Sequence, residues 1–453
     1  MMSETLLLGL VLQGISIGLL IVVFKRSVFR RIGPYFVFGA FVYHGLTEIV
    51  QALTGEPSSY RVYAQTNAID TWTVVAGCAM LLFAIAYAFV LTANTSAGER
   101  ETQTDLDVDR VVRILDWRLL AMICVPLIAV VGTSAFRPGD QSGLKPTATP
   151  ALVGLAQQFL VIALALTTIS FIITHKGNVV LPLLVQLGIM TLVGSRLEVL
   201  VAAVTTLFGL AILHRTPSAR QIVTTIAIVA AMAFAITGAR NGVGRSQLAA
   251  TDLAERVQVL AGGALSAIQG EEPLYSRQQQ PLGERLDGNS FPAAILTAES
   301  GGRDPVGLTT ARNDLLLAVP SFVNPDKLST NVESRSEKAY LNAYLGVGIR
   351  GDFLPTQLGS MLGWFGPIGL MFLAGLMGLA VGVAERVLRS RLTPSRLILT
   401  LALFGCVMRY ESGMETWSLG FRGALLLVAF VFLADRVRGH RRRNEKVATR
   451  GRT

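Results

Sequence analysis

The sequence predicts an all-α membrane protein: a polytopic bundle of about eleven transmembrane helices, N-terminus outside and C-terminus in the cytosol, with one large external loop. Three observations predict it. Of 453 residues, 51% are hydrophobic and only 15% charged, and the mean hydropathy is +0.52; a soluble domain carries about a quarter charged residues. The apolar residues are also gathered into blocks near the ~20 residues that a bilayer requires. Finally, Lys and Arg are distributed unevenly between alternate short connections: 23 fall in the set assigned to the cytosol and six in the opposite set. That bias sets the orientation.

The first block, 4–24, is preceded by Glu4 and followed by Lys25, Arg26, Arg30 and Arg31. A secretory signal places its basic residues first, so this order predicts an uncleaved helix that starts outside. The second, 33–53, is the most polar, with His44, Glu48 and Gln51 inside it. Further spans are expected at 71–93, 119–135, 151–174, 179–194, 197–213 and 221–237. Residues 1–237 therefore read as an N-terminal bundle of about eight spans, 238–356 as the external loop, and 357–453 as C-terminal spans (357–385, 397–410, 421–435) with a basic cytosolic tail. Within the loop, 246–268 has helical apolar spacing, 269–290 is rich in Gln, Gly and Pro, and Thr310 is placed to cap a short helix. The loop is expected to lie over the outer mouth of the bundle.

Net charge is +10. The tail from Arg436 directly follows a span and suits anionic lipid headgroups rather than nucleic acid. Cys78, Cys124 and Cys406 all fall inside spans, and no Cys/His cluster has metal-ligand spacing, so neither a metal nor another cofactor is predicted. Asp105, Asp107 and Asp109 read as a solvated charge run. The glycines at 359, 363, 366, 369, 375, 378 and 382 suit close helix packing rather than a phosphate loop.

Two polar interruptions are candidate sites. Arg196 and Glu198 separate the legs 179–194 and 197–213. Sixteen residues reach only about 24 Å, so both charges should sit at or below the outer membrane surface. They either pair or snorkel, or Arg196 holds a phosphate. The run from Arg409 to Arg422, with Glu411 and Glu415, lies between legs of about twelve residues; it is either a surface loop or a polar hairpin dipping into the outer leaflet. If helical, it would put both glutamates on one face. In the loop, Lys327, Arg335 and Arg350 belong to a charged stretch, and Arg240 and Arg245 follow the eighth span at headgroup height. Arginine binds phosphate oxygens in a fork, and a carboxylate can accept a hydroxyl proton, so the arginines suit a lipid diphosphate and Glu198, Glu411 and Glu415 suit a general base.

Pro320, Phe322, Pro325 and Lys327 resemble the external P-x-F-x-x-P-x-K stretch of Wzy-type polysaccharide polymerases. The segment from Pro355 to Gly369 resembles the opening of that family's next span, and Gly194-Ser195-Arg196 resembles its Gly-Ser-Arg turn. The resemblance runs from about 180 to 435 in matching order. It implies a GT-C-like bundle in the plasma (inner) membrane. There, undecaprenyl-diphosphate-linked oligosaccharide units would be joined into O-antigen or exopolysaccharide on the outer face, without a metal. A flippase and a chain-length regulator of the same pathway would be partners. Arg196 and Lys327 carry over by position. All four histidines lie outside the long loop, unlike the external histidine of the related ligases. A ligase-like or other lipid-linked glycosyltransferase, and a flippase of lipid-linked glycan, are the alternatives.

Overall fold

In a computed structural model, the residues described are 3–93, 149–174, 180–193, 196–213, 286–309, 337–349, 353–390 and 393–429, with a few isolated positions between. They are helical, with no strand among them. The expected helix over 246–268, the cap at Thr310 and the spans at 119–135 and 221–237 lie outside these residues.

Four helices are long and apolar enough to cross a membrane: Glu4–Arg30, Gly33–Thr54, Thr66–Thr92 and Gln357–Arg389. The protein is therefore a membrane protein, and these helices match four of the spans read from sequence. The second is interrupted. It runs as α2 (Gly33–Phe41), a π-helical turn (Val42–Leu46) and α3 (Thr47–Thr54). A π turn widens the helix and is a common device at functional sites; here it sits where Gly45 presses on Gln13 of α1 (Glu4–Phe24).

The chain divides into two compact units. The first comprises Met1–Thr102, Gln278–Ser390 and Cys406–Leu419. It is built on α4 (Thr66–Thr92), flanked by α1 and by the long Gln357–Arg389 helix. Several expected packing glycines do pack. A Cβ on Gly378 would be built into the Phe83 backbone of α4, and one on Gly382 would lie 3.1 Å from Val90. Small residues let helix backbones approach closely in the absence of a hydrophobic drive.

The second unit comprises Gln103–Arg277, Arg391–Gly405 and Gly420–Thr453. It contains α5 (Thr149–Thr174), α6 (Val180–Val193) and α7 (Arg196–Ile212). Phe208 stacks on Phe404 at 3.9 Å, and a Cβ on Gly209 would lie 2.5 Å from Ile169. These apolar contacts form its core.

Not all of the segment read as an external loop lies over the bundle. Its residues Asp287 to Ile295 are buried within the first unit. Ser290–Ser300 form a helix, α8, just beyond the 269–290 stretch read as a loop, where the sequence had suggested no element. Asp287 starts it, its carboxylate accepting the Asn289 and Ser290 N–H groups at 3.0 and 2.9 Å. Asn289 meets Trp72, and Thr297 accepts the Gln65 N–H at 3.2 Å, so α8 runs against the direction of α4.

Gly366 interrupts the long helix with φ 68° and ψ −173°, a conformation open to glycine, and Pro367 follows. Before the break, Gly359 packs on Pro292 and Gly366 faces Glu299, so this half-helix runs parallel to α8 and against α4. After it, Gly378 and Gly382 pack along α4 in the same direction as α4 itself. The chain therefore reverses at Gly366. The segment 367–389 alone spans about 34 Å, enough for a bilayer.

Candidate functional site

His44 is fully buried at the π turn. Its position follows from a pattern: His44, Glu48 and Gln51 are spaced four and three residues apart and share one helical face. That face points into the first unit, which explains how the most polar span is tolerated. Asn289 meets it from α8. Asn289 Nδ2 donates to the His44 carbonyl at 2.9 Å and to Glu48 at 2.7 Å. Its Oδ1 is then the acceptor, taking the Trp72 Nε1–H at 3.0 Å and His44 Nδ1–H at 2.9 Å. This assignment leaves His44 Nε2 to accept the Tyr410 hydroxyl at 2.9 Å. Arg61 closes the far end, its Nη2 2.5 Å from the Glu48 carboxylate.

The network continues to the turn that follows α9 (Pro394–Met408). Tyr410 stacks beside Tyr43 and lies against Gly39. The Tyr43 hydroxyl donates to Glu411 Oε2 at 2.6 Å. Glu411 is half-buried, whereas Arg409 is 5% exposed. The start of the 357–365 half-helix abuts this point. Thr356 N–H reaches the Glu411 carbonyl at 3.3 Å, and Gln357 Nε2 reaches the Cys406 carbonyl at 2.8 Å. A Cβ on Gly288 would lie 2.9 Å from both Tyr43 and Thr356. Two half-helix N-termini therefore converge on Tyr43, and both are capped from within, by Asp287 and by the Thr356 hydroxyl. Their dipoles favour the carboxylates already present.

At the opposite end of the unit is a second buried carboxylate. Glu385, 0% exposed, accepts Arg389 at 2.9 Å, Arg31 at 3.4 Å, the Ile32 N–H at 2.9 Å and the Tyr87 hydroxyl. Every lone pair is directed at a donor. It is a clamp between the 25–31 connection and the end of the long helix.

The sequence-derived site residues divide as follows. Arg409, Glu411 and Glu415 are in the first unit. Glu411 and Glu415 do not share a helical face: Glu411 is in a 3₁₀ turn (Tyr410–Ser412), Gly413 follows at φ 76°, and Glu415 opens a new helix over 415–429. The positive φ breaks the i,i+4 relation that a continuous helix would give. Glu198 is half-buried in the first turn of α7, and Arg422 is buried; both belong to the second unit. Arg196 begins α7, and nothing is described of its side chain. Arg240, Arg245, Lys327, Arg335 and Arg350 lie outside the described residues. Sequence reasoning missed His44, Glu48, Arg61, Tyr43, Asn289 and Glu385. The spacing of His44, Glu48 and Gln51 and the turn signal of Asp287-Gly288-Asn289-Ser290 were available to find some of them.

No family model, curated protein or solved structure matches this chain.

Proposed function

We propose that this protein is a polysaccharide polymerase that joins polyprenyl-diphosphate-linked oligosaccharide units at the outer face of the plasma membrane. One observation carries the reading: Glu411, a half-buried carboxylate held by Tyr43, stands at the edge of a buried polar network set into apolar helices. Polar groups at membrane depth are costly and mark function by default. In the reaction, the acceptor sugar's hydroxyl oxygen attacks the donor's anomeric carbon. Its proton passes to Glu411, the C–O bond to phosphate breaks, and the lipid diphosphate leaves with the bonding pair. Arg409, two residues before Glu411, and the arginines of the external segment supply charge for that leaving group.

The test is polymer formation by purified protein in vesicles containing undecaprenyl-diphosphate-linked repeat units. The wild type should make a ladder of lengths. Glu411→Gln should stay folded and make none. A wild-type protein that makes no polymer from any supplied unit, with surface glycan of unchanged repeat length in cells lacking it, would sink the reading.

The reversal at Gly366 supports a second reading, because half-helices that end within a bundle are a device of transporters. A carrier would move the lipid-linked unit across vesicles without lengthening it, so the same preparation separates the two.

A further inference from the structure

At the outer end of α8, several chain segments are stitched together by backbone contacts. Val306 N–H donates to the Gly363 carbonyl at 3.0 Å, and Gly307 N–H to the Trp364 carbonyl at 2.7 Å. The loop 303–307 is thereby fastened along the half-helix that leads to the Gly366 reversal. The helix Glu337–Tyr344 seats its Leu341 side chain on Gly363, 2.8 Å from the position of a Cβ there. Arg303 reaches back toward Gly346, just beyond that helix, its Nη2 3.7 Å from the position of a Cβ there.

Three features of this patch are unspent. Tyr340 and Tyr344, one helical turn apart, are stacked with ring centroids 5.9 Å apart, and Tyr344 is 47% exposed. Glu299 is half-buried, both carboxylate oxygens 3.7 Å from the position of a Cβ on Gly366, and its buried Oε1 has no hydrogen-bond partner among the described residues. The indole N–H of Trp364 also lacks one among them. Unpaired polar atoms of this kind are rare and costly to leave unsatisfied. Between Ile368 and Val383 the exposed face of the long helix is instead aliphatic and aromatic, with Ile368, Phe372, Leu376 and Val383 exposed. That face suits lipid, and the patch does not.

A ligand for the patch must offer apolar surface to flat rings and hydroxyls to a carboxyl group. Carbohydrate does both: the C–H face of a sugar ring lies on an aromatic face, and its hydroxyls both give and accept hydrogen bonds. We infer that the patch formed by Tyr340, Tyr344, Glu299 and the 303–307 loop is a carbohydrate-binding subsite that holds the glycan part of the substrate. Burial pushes the Glu299 carboxyl up to about 7, so near neutral pH it can meet a sugar hydroxyl as donor or acceptor. α8 separates Glu299 from the Asn289 network by about 15 Å, the length of a few sugar residues. This places the subsite where a chain would lie while its reactive end is elsewhere, and in that sense it rests on the proposed polymerase reading.

The experiment measures binding rather than turnover. Purified full-length protein in detergent is applied to a printed array of defined bacterial polysaccharide fragments. Fragments that bind are then labelled and titrated by fluorescence anisotropy against wild type, Tyr344→Ala, Glu299→Gln and Gly375→Ala. We expect Tyr344→Ala and Glu299→Gln each to weaken binding at least tenfold, with thermal midpoints near wild type, and Gly375→Ala, in open space away from the patch, to bind as wild type does. Tyr344→Phe, which keeps the ring, should retain binding. Absence of binding to any fragment, or binding indifferent to both patch variants, overturns the inference. Patch-dependent binding without polymer formation in vesicles would sustain the subsite and remove the polymerase reading. Polymer formation with no role for the patch would do the reverse.

Discussion

Tyr43 and Glu411, far apart in the chain, are joined by a hydrogen bond of 2.6 Å from phenol to carboxylate. The bond ties the π turn of the second span to the turn after Met408, and it fixes which way the Glu411 carboxylate faces. If Glu411 is the base, Tyr43 is its positioning residue. Tyr43→Phe removes the donor and keeps the ring stacked beside Tyr410. A hydrogen bond to a charged group contributes about 1.5–3 kcal/mol, so chain growth should slow by about 10-fold to 100-fold. The acidic limb of the rate–pH profile should also shift. An unchanged rate and profile would remove Tyr43 from the mechanism.

Asn289 satisfies four groups at once: the Glu48 carboxylate, the Trp72 indole, the His44 ring and the His44 carbonyl. Asn289→Ala leaves them without that partner in a site closed to solvent. Each stranded buried group costs about 1–3 kcal/mol, so the loss should reach about 3 kcal/mol or more. Thermal unfolding in detergent should show a large fall in midpoint. A change within error would mean that water replaces the carboxamide.

Gly378 has no room for a side chain, because a Cβ would meet the Phe83 carbonyl oxygen of α4 rather than a flexible side-chain tip. Gly378→Ala should force the helices apart at a cost of about 1–3 kcal/mol. Gly375, three residues earlier with open space around it, is the control, and Gly375→Ala should be silent or slightly stabilising. Equal effects at the two positions would contradict this packing.

Burial raises the Glu299 carboxyl from its ordinary 4.5 to about 7. A group raised in the folded state contributes stability that is full below its unfolded pKa and is lost as pH rises through the folded one. Stability should therefore fall between about pH 4.5 and pH 7. Glu299→Gln, uncharged throughout, should flatten that slope. The size of the effect is reduced by the solvent that reaches this carboxyl. A slope identical in the two proteins would show that Glu299 is paired in solution.

Orientation is open to a direct measurement. The Lys/Arg bias predicts that residues 250–350 are external. A cysteine introduced at Ser276 should react with an impermeant thiol reagent in intact cells. Reaction only after the membrane is opened would invert the topology, and the Glu385 clamp would then face outside.

The membrane class was legible in the sequence, and so were the limits of the helices at 4–24 and 33–53 and the start of the one at 357, because both depend on short-range quantities: apolar length, flanking charge and local helix propensity. The spacing of His44, Glu48 and Gln51 likewise contained the polar face of the second span. Nothing local named the partners. That Asn289 completes His44, and that Glu411 is held by Tyr43, was decided by how segments hundreds of residues apart pack, since a buried polar group takes whichever complementary group the packing delivers. The glycines show the same division. As a series they announced close packing, and Gly378 and Gly382 do pack, but only the tertiary structure separates them from Gly366, whose positive φ turns the chain back on itself. Gly413 undid the one-face pairing of Glu411 and Glu415 for the same reason. A glycine's freedom permits either outcome, and the contacts around it choose.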